Sequence, residues 1–327
     1  MTDSASSVSE SRSMLSSKSS LPSLPSRTPS PSVSPVAGAL LVAAAAALWG
    51  TVGTAQTFIV GGLAPAWVGA LRLIFASVFF GLLLLVAGRR SREDAAQAAS
   101  TERFPFGLAL FAGLAMGFYN LAFFAGVKAA GIAVGTAAVI GSAPVWAGLL
   151  ETIVFKKRPP LLWCAGTVVA VASGTLLALS GTSGTELDLA ALGLCLLAGF
   201  MYASYTLLSK SLVRRTTPLR ATSATFLFAM LVALPAAFLI SGMPDILPAD
   251  LRVVAYLGLV TTGGAYLLFT TGLKGIRAST GVALSLVEPV TAFLLAVTVA
   301  GEAVTFTGVL ALAGILAGLA IVLKADA

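Results

Sequence analysis

The chain has 327 residues, 57% of them apolar and only 10% charged, with a net charge of +7 and a mean hydropathy of +0.97. A soluble domain carries roughly 25% charged residues, so this chain has too little charge to wet the exterior of a soluble fold, and lipid is expected to cover most of its surface. The basic excess sits in short segments between apolar runs, which argues against a nucleic-acid partner; the absence of histidine removes the commonest metal ligand, and Cys164 and Cys195 each lie in an apolar run with no metal or redox spacing.

Residues 1–36 are Ser/Pro-rich without apolar periodicity. They are expected to form a disordered cytoplasmic tail and not a secretory signal, because the apolar run begins only after them. Ten apolar runs follow, at 37–59, 65–87, 106–127, 132–155, 161–180, 189–209, 219–241, 251–272, 278–300 and 304–323. Each is close to the ~20 residues that cross a ~30 Å hydrocarbon core. Connections are short apart from 88–105, expected to be a polar cytoplasmic loop.

The basic residues set the expected orientation. With the N-terminus inside, the inner segments hold Arg12 to Arg27, Arg89 to Arg103, Lys156 to Arg158, Lys210 to Arg220, Lys274, Arg277 and Lys324. The outer loops hold only Lys128 and Arg252. That bias predicts both termini cytoplasmic and an even number of spans in a plasma (inner) membrane.

The sequence also matches itself. Residues 117–138 align with 263–284, pairing Gly117, Leu121, Phe123, Gly126, Lys128 and Gly135 with Gly263, Leu267, Phe269, Gly272, Lys274 and Gly281; one deletion later Pro144 aligns with Pro289. Five spans per half make the halves inverted. Such inverted repeats are a recurring plan of secondary transporters, which hold substrate near the midplane. The spacings Gly113/Gly117 and Gly314/Gly318 are expected to pack helices within the chain.

Several motifs, in this order, carry a family resemblance. Leu48-Trp49-Gly50 lies in the first run, Arg72 in AWVGALRLIFAS of the second, and a proline followed by a closing Gly-Glu in LSLVEPVTAFLLAVTVAGE, 284–302. The chain resembles the EamA group of the drug/metabolite transporter superfamily. The resemblance implies an all-α membrane fold of ten helices in two inverted five-helix repeats, 37–180 and 189–325. It also implies secondary transport of amino acids, other metabolites or drugs without ATP or another cofactor. One position departs from the pattern: Lys157 stands where Glu302 has its counterpart.

Ionisable side chains in hydrocarbon cost roughly 2.5–3.5 kcal/mol on insertion scales, so each is a candidate for function. Glu288, directly before Pro289 in the ninth run, is expected to bind a substrate amine or a proton; its aligned position is Ala143. Glu151 is expected to pair with Lys156 or Arg158, and Arg72 to serve a structural or gating role near the outer end of the second run. Trp49, Tyr119, Asn120, Trp146, Tyr202 and Tyr266, with Ser204 and Tyr205, lie at central depths and are expected to line the cavity. Pro144 and Pro289 are gating candidates. The expected partners are a small solute, lipid and protons. The expected reaction is export of an amino acid or related metabolite. A multidrug efflux carrier is the alternative within transport, a wide aromatic cavity favouring it and a narrow one with placed polar groups favouring a metabolite. A membrane receptor or membrane-embedded enzyme is the alternative outside it.

Overall fold

The structure, a computed structural model, describes residues 33–94, 104–156, 158–179, 188–299, 301 and 303–326, with side chains at 89–94, 132, 133 and 155 left undescribed. The expected tail lies outside the described residues except for 33–36. So do 95–103 of the expected 88–105 loop, and both Lys157 and Glu302.

Ten helical segments are long and apolar enough to cross a membrane. The first seven are single helices: α1 (Pro35–Gln56), α2 (Pro65–Asp94), α3 (Phe106–Ala130), α4 (Ile132–Phe155), α5 (Leu161–Leu179), α6 (Leu189–Val213) and α7 (Pro218–Ser241). The eighth span joins α8 (Pro248–Tyr256), a π-helical segment (Leu257–Gly264) and α9 (Ala265–Gly272). The ninth joins α10 (Ala278–Leu284) to α11 (Val287–Thr298), and α12 (Phe306–Asp326) is the tenth. Helices dominate because lipid cannot satisfy backbone N–H and C=O groups, which must therefore pair within each segment.

Local chemistry places the ends. Ser34, Asp188 and Thr217 accept hydrogen bonds from first-turn amides of α1, α6 and α7, and prolines open α1, α7 and α8. A single residue, Gly131 at φ 84°, separates α3 from α4; a left-handed φ is cheap for glycine and lets the chain reverse in one step. The second span runs past its expected end at residue 87 to Asp94, because the run from Arg89 to Asp94 contains no proline or glycine to stop a helix.

The packing treats the two halves alike. The first helix of each half lies on the other half: α1 packs against the eighth and ninth spans, and α6 packs against α3 and α4. Counterparts also pair, α2 with α7 and α5 with α12, and α3 packs on α7 as well. The two swapped contacts are close for the same reason. A Cβ at Gly50 would stand 2.5 Å from the Glu288 carbonyl, and one at Gly199 would stand 3.0 Å from the Val139 carbonyl. Small residues permit such backbone approach between membrane helices. The GxxxG glycines work likewise within the chain, Gly113 and Gly117 against α7, and Gly314 and Gly318 against α5. The main buried cluster fills the space between the halves, around Trp49, Phe80, Tyr202, Tyr205, Phe226 and Phe269.

Candidate functional site

The site begins with two interruptions of helix regularity, one in each of the spans facing α1. In the ninth span Pro289 has no N–H to give the Ser285 carbonyl. That carbonyl is taken instead by Glu288 N at 2.9 Å, and Leu286 N reaches back three residues to Ala283 at 3.0 Å. The helix tightens between α10 and α11, and α11 restarts with Glu288 in its first turn. In the eighth span the π-helical segment shifts the hydrogen-bond register around Thr261 and Thr262. π segments inside helices are rare and concentrate at functional sites.

Side chains from the first two helices fasten onto that π segment. Trp49 of α1 donates its indole N–H to the Thr261 carbonyl at 3.0 Å, and Arg72 of α2 donates through Nε to Thr262 Oγ1 at 3.1 Å. Thr262 donates in turn to the Leu257 carbonyl at 2.8 Å. Arg72 is 8% exposed, and among the described residues its two terminal guanidinium nitrogens have no protein partner. The arginine lies beside the cavity instead of reaching to the outer surface.

Aromatic rings close the space between. Tyr202 of α6 shares a 2.7 Å hydrogen bond with Ser285 at the break in the ninth span. Its ring lies 5.6 Å from Tyr119 and 6.2 Å from Trp49, and Trp49 lies 4.8 Å from Tyr266. Together Trp49, Arg72, Tyr119, Tyr202, Tyr266, Ser285 and Glu288 line a cavity of about 60 Å³, with Val139, Ile140 and Ala143 on the wall from α4. The carboxylate of Glu288 has no hydrogen bond or ion pair among the described residues, although it and Arg72 act on each other electrostatically across the cavity. Ala143, aligned with Glu288 by the repeat, lies on the same cavity, so corresponding positions of the two halves meet there and only one bears a charge.

The other candidate residues fall elsewhere. Asn120 donates to the Met116 carbonyl at 3.0 Å and lines a separate groove of about 430 Å³ with Gly69, Phe124 and Lys128. Trp146 packs edge-on against Phe200, with ring centres 5.4 Å apart. Ser204 bonds the Phe200 carbonyl of its own helix. Tyr205 is buried behind the cavity against Tyr266 and Phe269. Pro144 follows Ala143 on α4, and Pro289 faces a small apolar space beside Ile140 and Gly141.

Glu151 has partners other than the neighbouring basic residues. Its carboxylate accepts from Ser279 N at 3.1 Å, Ser279 Oγ at 2.7 Å and Arg277 at 3.2 Å. Arg277 reaches on to Asp326 at the end of α12, 3.4 Å away. The end of α4, the start of α10 and the end of α12 are therefore clasped together. Lys156 lies outside the clasp because it takes a left-handed turn, φ 53°, that leads the chain out of α4.

Ser285, Thr261, Thr262, Arg277 and Asp326 escape a reading of the sequence. The run Thr261-Thr262-Gly263-Gly264 was the available signal for the π segment. Nothing local marks Ser285 or Arg277, whose roles depend on helices far away in sequence.

The profile of the EamA-like transporter family matches residues 36–179 and again 189–324. A Bacillus subtilis (strain 168) protein described as the uncharacterized transporter YwfM is 39% identical over 284 residues, covering 86% of this chain and 92% of that one. A solved crystal structure shares the fold with a TM-score of 0.72 at 20% identity, over 88% of this chain and 96% of that one.

Proposed function

The chain belongs to the EamA-like transporter family and is a multi-pass membrane transporter, and from that premise we propose that it exports a small zwitterionic metabolite of the amino-acid class, coupled to protons. The observation that carries this reading is the pair of opposite charges left uncompensated on one small cavity. Arg72 offers free guanidinium nitrogens to a carboxylate. Glu288 offers a bare carboxylate to an ammonium, and Trp49, Tyr119 and Tyr266 present ring faces suited to the same cation.

Size supports a metabolite over a drug. Sites for drug-sized ligands occupy roughly 300–1,000 Å³, whereas this cavity measures about 60 Å³ and carries placed polar groups. The halves exchange roles by rocking about the cavity, as inverted repeats allow. In this conformation the clasp of Glu151, Ser279, Arg277 and Asp326 holds the inner side shut. Glu288 accepts either the substrate ammonium or a proton, not both, and that competition couples the two fluxes. Both termini lie in the cytoplasm, following the basic-residue bias.

Reconstituted protein should take up labelled neutral amino acids into proteoliposomes, with a rate that changes between two pH values. Metabolite profiling of medium from cells with and without the protein would name the solute. Equal fluxes with and without protein for every amino acid tried, at both pH values, would overturn the reading.

A further inference from the structure

Apart from the cavity, charged side chains gather at the helix ends beside the clasp of Glu151 and Arg277. A pocket of about 400 Å³ is lined by Arg158, Lys210, Arg214 and Arg277, with Glu151 as its one carboxylate. Its residues come from the α4–α5 link, the end of α6 and the start of the ninth span. By the basic-residue bias this is the cytoplasmic side.

Two carboxylates face these four cations, Glu151 and Asp326 beside the pocket, and Arg277 engages both. Glu151 is already saturated by Ser279 and Arg277. Lys210 turns its ammonium to the carbonyls of Leu273 and Ile276 at the end of the eighth span. Arg158 and Arg214 are exposed, and their guanidinium groups have no hydrogen bond or ion pair among the described residues. Lys210 and Arg214 stand four apart on α6, a like-charge spacing that destabilises a helix. Membrane orientation needs basic residues in inner loops, but it does not need four of them turned into one pocket.

The position of Arg158 is also fixed. Pro159 and Pro160 follow it, which restricts its backbone to extended conformations. Leu161, directly after, is 86% exposed, so an apolar surface suited to an acyl chain adjoins the cationic lining. Basic pockets between helices on the cytoplasmic side are where anionic lipid headgroups bind.

We propose that this pocket is a binding site for a phosphate-bearing anion, held by Arg158 and Arg214 with Arg277 behind them. The ligand chemistry is that of a phosphodiester headgroup of an anionic phospholipid or of a free phosphate. Occupancy would tie the α4–α5 link to the end of α6 and reinforce the inner clasp. The proposal does not depend on the transported solute, and its test measures no transport.

The test uses the full chain purified in an uncharged detergent. Phosphatidylglycerol should raise the unfolding midpoint by about 2–4 °C, and phosphatidylcholine should not. Inorganic phosphate decides the source: a matching rise at millimolar concentration points to a soluble phosphate, and no rise points to lipid. In the double variant Arg158→Gln/Arg214→Gln the rise should vanish, while Arg220→Gln, a basic residue outside the pocket, should keep it. Native mass spectrometry, counting retained phosphatidylglycerol, gives a second readout if the double variant melts early. A phosphatidylglycerol rise and lipid count unchanged by the double variant would overturn the proposal, as would the absence of a rise with both ligands in the wild type.

Discussion

The central cavity and the clasp of Glu151 each place a carboxylate near an arginine, yet they resolve those charges in opposite ways. At the clasp, Glu151 accepts three hydrogen bonds within 3.2 Å, and its arginine is shared with a second carboxylate. In the cavity, Arg72 spends one nitrogen on Thr262, and the Glu288 carboxylate has no hydrogen bond or ion pair among the described residues. A charge kept out of water is costly unless paired. A saturated one suits a structural joint, and an unsaturated one beside a cavity suits the ligand site proposed above. The difference also explains why burial alone is a poor guide to function among membrane carboxylates.

The contrast is broken most sharply at Glu288. Glu288→Gln should lower uptake about ten- to hundredfold, the effect of losing a charge-assisted bond of ~1.5–3 kcal/mol, and should abolish the pH dependence of uptake. The unfolding midpoint should barely move, because no protein partner is stranded. Wild-type rates and pH dependence in proteoliposomes would erase the distinction.

Glu151→Ala should show the reverse pattern. It leaves Ser279 N and part of Arg277 without a partner, which costs ~1–3 kcal/mol and lowers the unfolding midpoint by several degrees in a detergent melt. Glu151→Gln, which can still accept from Ser279, should fall between. A melt indistinguishable from wild type in both variants would mean that the clasp contributes nothing.

Smaller effects sharpen the picture of the cavity wall. Trp49→Phe keeps the ring contact with Tyr266 but removes the indole donor to Thr261, a loss of about 0.5–1.5 kcal/mol. Uptake should fall by less than in Glu288→Gln. Tyr202→Phe and Ser285→Ala each remove the same 2.7 Å hydrogen bond. Their small effects on uptake should fail to add in the double variant; strict additivity would show that the bond does not hold the break in place.

Much of this was legible in the residues. Composition and run length point to the spans, since the ability of a segment to cross lipid is a property of that segment alone. The aligned Gly, Lys and Pro positions mark the repeat, and the fold shows each half's first helix packed on the other half. Trp49, Tyr119, Tyr202, Tyr266 and Glu288 meet on one cavity, while Asn120 and Trp146, chosen by the same depth criterion, do not. Depth along a helix can be counted from sequence. Rotation about the helix axis cannot, and rotation decides which side of a ring of helices a residue faces.

What the sequence determined by itself is therefore the set of spans, the duplicated plan and the short roster of charges placed in hydrocarbon. The tertiary structure alone decided which of those charges are satisfied. Glu151 has Lys156 five residues away, yet bonds Ser279 at a separation of 128 residues, and Arg72 bonds Thr262 at 190. A helix directs neighbouring side chains to different sides, so partners near in sequence are often out of reach. Partners far away are supplied by helix crossings, and these exist only once the two halves have packed.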